Sequence, residues 1–222
     1  MTRPPAPPRY GFAVFDFDGT LADSRRGIVL AMESALARHG VASPGDAAIA
    51  ALIGLPLDAV FERLAPGADA LLVAALADAY REAYPPIARE TTRLYDGVAE
   101  ALDRLAARGV RMAIATSKSF RGATRSAEHL GIARHFEMIV AADTVEMKKP
   151  HPESVERVLA HFGASAREAL VVGDTTYDIE MGRRAGTDTC AVTWGVHARE
   201  TLASERPTYV VATRDELADL FG

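Results

Sequence analysis

Six short apolar runs, each closed by polar residues, constrain this chain more than any other feature. Residues 12–17, 110–115, 138–142, 169–172, 189–192 and 209–211 are rich in Val, Ile, Phe and Ala and have the length of strands buried on both faces. Helical patterns separate several of them. Val98, Leu102 and Leu105 share one helix face that stops at Gly109. Residues 122–130 stop at Gly131, residues 153–162 form a further helix, and Ile179, Met181 and Ala185 belong to one that stops at Gly186. Strands alternating with helices imply right-handed crossovers and a parallel sheet covered on both faces.

One stretch breaks the alternation. Ile28, Met32, Ala35, Leu36 and His39 recur at steps of three and four up to Gly40. A second helix is expected over 44–53, broken by Gly54-Leu55-Pro56, and a third over 57–64, followed by Pro66-Gly67. The Ala/Leu-rich segment 70–83 is a fourth, ended by Pro85-Pro86. Residues 25–89 thus read as helices alone, an insert in an α/β pattern. The expected fold is α/β, a Rossmann-like parallel sheet core with helices on both faces and an inserted all-helical domain. The boundaries expected are a flexible leader over 1–9, the core over 10–23 and 91–222, and the helical domain over 24–90, with hinges near 21–24 and 87–92.

Composition narrows the function classes. A chain of 222 residues has room for one large domain, or a domain with an insert. The net charge of −5 argues against a general nucleic-acid binder, for which a basic face is expected. No apolar run approaches the length of a membrane span, and the proline-rich residues 2–9 lack the apolar core of a signal peptide. With Cys190 as the only cysteine, no intrachain disulfide can form, and a reducing cytoplasm is the expected compartment. Arginine supplies nearly all the positive charge; lysine occurs only at 118, 148 and 149. No partner beyond a small molecule is indicated, neither nucleic acid nor membrane, and oligomeric state has no signature.

Polar groups gather where the strands end. Asp16 and Asp18 close the first run, Thr116 and Ser117 follow the second, Lys149 lies beyond the third, and Asp174 and Asp178 follow the fourth. Ligands of such sheets bind beyond the carboxyl ends of the strands, so these groups should converge on one edge. Asp16 and Asp18 share a face if both stay extended. With Gly19 bending the chain, Asp18 can instead sit past the strand end. Two acids in such a place are costly unless paired, metal-bound or in use. Each group has a plainer reading. Asp18-Gly19 can be an Asx-type turn, Thr116 and Ser117 ordinary turn residues, and Asp174 or Thr175 the cap of the following helix. Lys118 reads as a solvent-exposed lysine and Trp194 as a packing residue.

Taken in order, Asp16-x-Asp18-Gly19-Thr20, Thr116, Lys149-Pro150 and Gly173-Asp174-x-x-x-Asp178 resemble the four motifs of the haloacid dehalogenase superfamily. The helical insert just after the first motif resembles its phosphoglycolate-phosphatase-like branch. That resemblance spans residues 12–211. It implies that Asp16 attacks phosphorus and that Asp18 moves protons, first to the leaving oxygen and then from water. It implies Mg²⁺ as cofactor, held by Asp16, Asp174 and the Asp18 carbonyl, with Asp178 acting through water or by orienting Asp174. It places Gly19, Thr116, Ser117 and Lys149 around the phosphate, Lys149 balancing its charge. Family members that cleave halides lack the second acid, and the transport ATPases carry Thr there. Asp18 therefore points to phosphomonoesters. Thr20 and Gly173 differ from the Val and Glu usual in the phosphomutase pattern, which favours a hydrolase.

The expected function is a Mg²⁺-dependent phosphatase acting through an aspartyl-phosphate on a small phosphomonoester, whether phosphoglycolate-like, a sugar phosphate or a nucleotide. The alternatives are a pathway-specific phosphatase for a specialised-metabolite intermediate, a phosphomutase, and a non-catalytic binder of phosphate ligands. The helical insert is expected to be a lid, with Gly54, Leu55 and Arg25 selecting the substrate.

Overall fold

A computed structural model describes residues 9–222. The expected leader lies, up to residue 8, outside the described residues. Among the described residues, β1 (Phe12–Phe15), β4 (Arg111–Ala115), β5 (Phe136–Val140), β6 (Ala169–Gly173), β7 (Asp188–Val192) and β8 (Tyr209–Val211) form a six-stranded sheet, and the two-residue β2 (Ala22–Asp23) and β3 (Arg93–Leu94) form a separate pair. The order of the large sheet is β5-β4-β1-β6-β7-β8, parallel throughout. The six apolar runs are its six strands, and the fold is the expected α/β sheet.

Strand alternation sorts the side chains into two cores. Ala13 and Phe15 of β1, Met112 and Ile114 of β4, and Leu170 and Val172 of β6 face one side, packed with α5 (Val98–Ala107) and the chain's C-terminal residues. Val14, Ala113 and Val171 face the other, against α7 (Glu153–Phe162) and Met181 of α8 (Thr176–Arg184). The helices α6 (Phe120–His129), α9 (Arg199–Ser204) and α10 (Arg214–Asp219) complete the α/β part.

Between β2 and β3 run only helices: α1 (Arg25–Arg38), α2 (Asp46–Ala50), α3 (Leu57–Leu64) and α4 (Ala70–Thr91). They enclose a hydrophobic cluster of their own, with Met32, Leu36, Ile49, Phe61 and Leu76 buried. The chain enters and leaves this insert through the antiparallel pair Ala22–Leu94 and Asp23–Arg93.

Two boundaries differ from the sequence pattern. Pro85 and Pro86 do not end α4, which continues to Thr91. The carbonyls they leave without a helical donor belong to Arg81 and Glu82, both exposed, where water can satisfy them. The second expected hinge accordingly shrinks to the residues just past Thr91. The helix expected over 44–53 is regular only from Asp46 to Ala50. Beyond it the turns tighten, with the N–H groups of Leu52, Ile53 and Leu55 donating to the carbonyls three residues earlier.

Candidate active site

β1 ends one residue before its acids. The Asp16 N–H still donates to the Val172 carbonyl at 2.9 Å, but Phe17 to Ala22 form a tight loop in which the Leu21 and Ala22 N–H groups both return to the Phe17 carbonyl. Asp16 and Asp18 therefore leave the strand separately, in keeping with the reading that Gly19 parts them. Gly19 has φ of +91° and lies so close to Asp174 that a side chain there would strike its carboxylate. Its N–H is already given to the Ala22 carbonyl at 2.8 Å. Gly19, expected near the phosphate, therefore has its N–H committed within the loop, and its lack of a side chain lets the loop approach Asp174.

The ammonium of Lys149 lies 2.6 Å from Asp16 Oδ1 and 2.6 Å from Asp178 Oδ1, all three side chains being buried. The other Asp178 oxygen accepts from the N–H and hydroxyl of Thr175, at 3.0 and 2.6 Å. Thr175 is thus the cap of α8 and Asp178 its reciprocal partner. Capping and the site share one carboxylate, an oxygen each. Asp174 does not cap. It accepts from the Thr20 hydroxyl at 2.7 Å and the Val196 N–H at 2.8 Å, and is fully buried.

Asp16, Asp174 and Asp178 each offer an oxygen within 4.8 Å of the others. One ammonium faces three buried carboxylates. Burial pushes the Asp16 carboxyl up to about 7, against the pull of Lys149 and with the push of Asp178. Burial, then the charges of Asp16 and Asp178, hold Asp174 well above the usual carboxylate range. For Lys149 burial works to lower the pKa, but Asp16 and Asp178 outweigh it and the net shift is upward. An all-oxygen set with surplus negative charge suits a hard divalent cation such as Mg²⁺. The Asp18 carboxylate is not in this cluster, which is consistent with the expectation that Asp18 would meet a metal through its carbonyl and not its side chain.

Stability should depend on pH accordingly. Between about 4, where an unfolded Asp ionises, and about 7, the native Asp16 keeps a proton that the unfolded chain has lost. Its contribution to stability therefore falls as pH rises through that window. We expect the unfolding free energy of metal-free wild type, minus that of Asp16→Asn, to decline from pH 4 to pH 7 in denaturant titrations. A flat difference would refute the shift.

Asp18 turns the opposite way. Its Oδ1 accepts from the Ser24 hydroxyl and lies 3.0 Å from the ammonium of Lys118. Lys118 is half-buried as a residue but its side chain is only 8% exposed; it donates to the Tyr84 hydroxyl at 2.8 Å and sits 4.3 Å from the centre of that ring. Burial works against its charge, but Asp18 and the two tyrosines Tyr84 and Tyr80 more than offset this and raise its pKa. The reading of Lys118 as solvent-exposed is wrong for a physical reason: α4 folds over it and supplies an aromatic face and a hydroxyl. The sequence held one sign of this, the scarcity of lysine. Thr116 is buried, and its hydroxyl oxygen accepts from the Lys118 N–H at 3.2 Å, leaving its proton to donate elsewhere. The Ser117 hydroxyl is spent on the Gly54 carbonyl, at 2.7 Å.

A cavity of about 460 Å³ lies between the helical insert and this sheet edge. Asp16, Asp18, Thr116, Ser117, Gly54 and Leu55 all line it. Arg25 does not; it is exposed at the start of α1, which corrects its assignment to substrate selection.

The segment after β7 has no recognisable sequence signal yet holds the site together. Trp194 Nε1 donates to the Thr20 carbonyl at 3.0 Å, so this packing residue also pins the loop carrying Asp18. Gly195 lies against Asp174, and His197 Nδ1 accepts the Thr176 N–H at 3.1 Å.

Residues 13–192 match the family model described as haloacid dehalogenase-like hydrolase. Over 209 residues the chain is 36% identical to "Probable phosphatase IndB" of Dickeya dadantii, covering 92% of this chain and 90% of that protein. It is 34% identical over 212 residues to a phosphoglycolate phosphatase of Yersinia pseudotuberculosis, covering 94% and 91%. Among solved structures it resembles the haloacid dehalogenase-like family protein SP0104 of Streptococcus pneumoniae. The TM-score there is 0.85 at 25% identity, covering 95% of this chain and 98% of that one.

Proposed function

This chain belongs to the haloacid dehalogenase-like hydrolases and is a phosphatase of that family, and we propose that it hydrolyses a small phosphomonoester through an aspartyl-phosphate, with Mg²⁺ bound. The observation that carries this reading is the pairing of two carboxylates with different neighbours. Asp16 lies in the acidic cluster with Lys149, and Asp18 lies outside it with Lys118 and Ser24.

Asp16 is the nucleophile: its carboxylate oxygen forms the bond to phosphorus as the ester oxygen leaves. Asp18 gives that oxygen its proton, then takes one from the water that cleaves the acyl phosphate. Thr116 donates its hydroxyl to a phosphate oxygen, and Lys149 stays on Asp16 and Asp178 to offset the negative charge gathering there. Asp16, Asp174 and the Asp18 carbonyl would hold Mg²⁺, with Asp178 orienting, and the ion supplies the positive charge that lets an anionic nucleophile meet a phosphate. The helices between β2 and β3 form a separate domain, a lid that admits one water after bulk water is excluded. A panel of phosphomonoesters, assayed with Mg²⁺ and with chelator, tests the reading. Turnover should require the metal, and turnover unaffected by chelation would overturn it.

In this reading Lys118 is a positioning residue that orients Asp18 and ties it to Tyr84 of the lid. Lys118→Met should lower kcat about ten- to a hundredfold, less than the roughly 10²- to 10⁴-fold that a general acid–base group itself contributes, because Asp18 stays in place and loses only its orientation; KM should change by a smaller factor. Steady-state kinetics checks this: loss of orientation lowers kcat much more than it moves KM and is partly rescued in Lys118→Arg, whereas a purely structural role lowers the rate of both variants alike.

A further inference from the structure

We infer that the leaving group of the substrate carries an apolar or aromatic body and no carboxylate next to the ester; this deepens the phosphatase reading and rests on it. Three polar contacts join the insert to the α/β part across the cavity: Ser117 to Gly54, Lys118 to Tyr84, and Lys148 to Asp58 at 2.8 Å. These contacts hold the insert down over the sheet edge, and the cavity between them is open on one side. Its volume of about 460 Å³ falls among pockets of roughly 300–1,000 Å³ that hold small organic ligands, larger than a phosphate with a two-carbon acid needs.

The wall contributed by the insert is mostly apolar, with Asp58 and Arg81 its charged members. Ile28, Met32, Leu52, Leu55, Val60 and Tyr80 line it. Tyr80 stacks on Tyr84 with ring centres 5.3 Å apart and planes 18° from parallel, and the Tyr84 hydroxyl is fixed by Lys118. This makes a rigid aromatic panel suited to a flat or hydrocarbon body.

Among the described residues, a short carboxylate finds no unpaired buried cation along the wall of the insert. Lys118 is the buried ammonium on that side and already serves Asp18, Tyr84 and the ring beneath it. Lys148 is paired with Asp58, and Arg81 with Asp78, both at exposed positions. Arg121 and Arg125 also line the cavity, but on α6 of the α/β part and exposed, so solvent screens them. A carboxylate against the inner wall would be desolvated without a partner, a heavy penalty. A hydrocarbon or ring there gains by leaving water.

The test compares esters of unactivated primary alcohols, so that leaving-group chemistry stays similar: n-hexyl phosphate and 3-phenylpropyl phosphate against 2-phosphoglycolate and glycerol 3-phosphate, with Mg²⁺. We expect kcat/KM at least tenfold higher for the apolar-bodied pair. Met32→Lys, which sets a cation in the wall, should shrink or reverse that ratio, with circular dichroism checking that the variant folds. Calorimetry with 3-phenylpropylphosphonate and phosphonoacetate, which cannot turn over, reads the cavity alone and should show the same order of affinity. Tighter binding of phosphonoacetate, or faster turnover of 2-phosphoglycolate, overturns the inference while leaving the phosphatase reading intact. Tight binding of the phenylpropyl compound with no turnover of any ester supports the inference about the cavity and overturns the phosphatase reading.

Discussion

Asp16→Asn protein is expected to fold and bind Mg²⁺ weakly, and to turn over phosphomonoesters at least about 10⁴-fold more slowly than wild type, the scale on which loss of a nucleophile is felt. The amide has the size of the carboxylate but cannot form the acyl phosphate. The fold survives because Asp16 is not the only partner of Lys149, whose ammonium keeps its 2.6 Å contact with Asp178. It survives also because the main-chain bond from Asp16 to Val172, which anchors the end of β1, does not involve the side chain. Replacing a carboxylate in an acidic cluster removes repulsion as well as attraction, so the thermal midpoint should move by only a few degrees. Phosphate release with a primary alkyl phosphate, beside a melting curve, checks both halves. Residual turnover above one per cent in a protein free of wild-type contamination would rule out Asp16 as nucleophile.

The sheet and the insert were legible in the sequence because both are written in periodicity. Buried parallel strands demand short apolar runs, and Phe12 to Val14 or Ala169 to Val172 could hardly be anything else. The acids were legible because polar groups at successive strand ends must meet on one edge. What escaped was set by tertiary context. Nothing local marks Lys118 as buried; Tyr84, 34 residues away, buries it. Pro85-Pro86 looks like a stop, and is tolerated only because the carbonyls it frees face solvent. The loop from Trp194 to His197 lacks any pattern, yet its N–H at Val196 fixes an Asp174 oxygen. Arg25 sits beside the hinge in sequence but on the outside of its helix in space.

Lys149→Met should be the most damaging change to stability. Wild type holds one buried ammonium between Asp16 and Asp178, with Asp174 nearby. Methionine fills a similar volume, so packing is nearly kept and the loss is electrostatic. Removing one partner of a buried pair typically costs about 3–5 kcal/mol. The acids have one escape, which is to take up protons. Burial already pushes Asp16 up to about 7 with the ammonium present, and without it the proton is held more tightly still. The destabilisation should consequently be small near pH 5 and grow toward pH 8, where keeping the proton becomes costly. Mg²⁺ offers the second escape, since a cation that binds only the native cluster stabilises it by mass action. The expected signature is a variant whose denaturant midpoint falls with pH more steeply than wild type, and which recovers more stability than wild type on adding millimolar Mg²⁺. Activity should not return with stability. The metal can neutralise the cluster but cannot stand where Lys149 offsets charge on the reacting oxygen, and kcat should stay about 10²- to 10³-fold down. A variant as stable as wild type at pH 8 without metal would show that the three carboxylates are not charged together, and that the case for a cation among them fails.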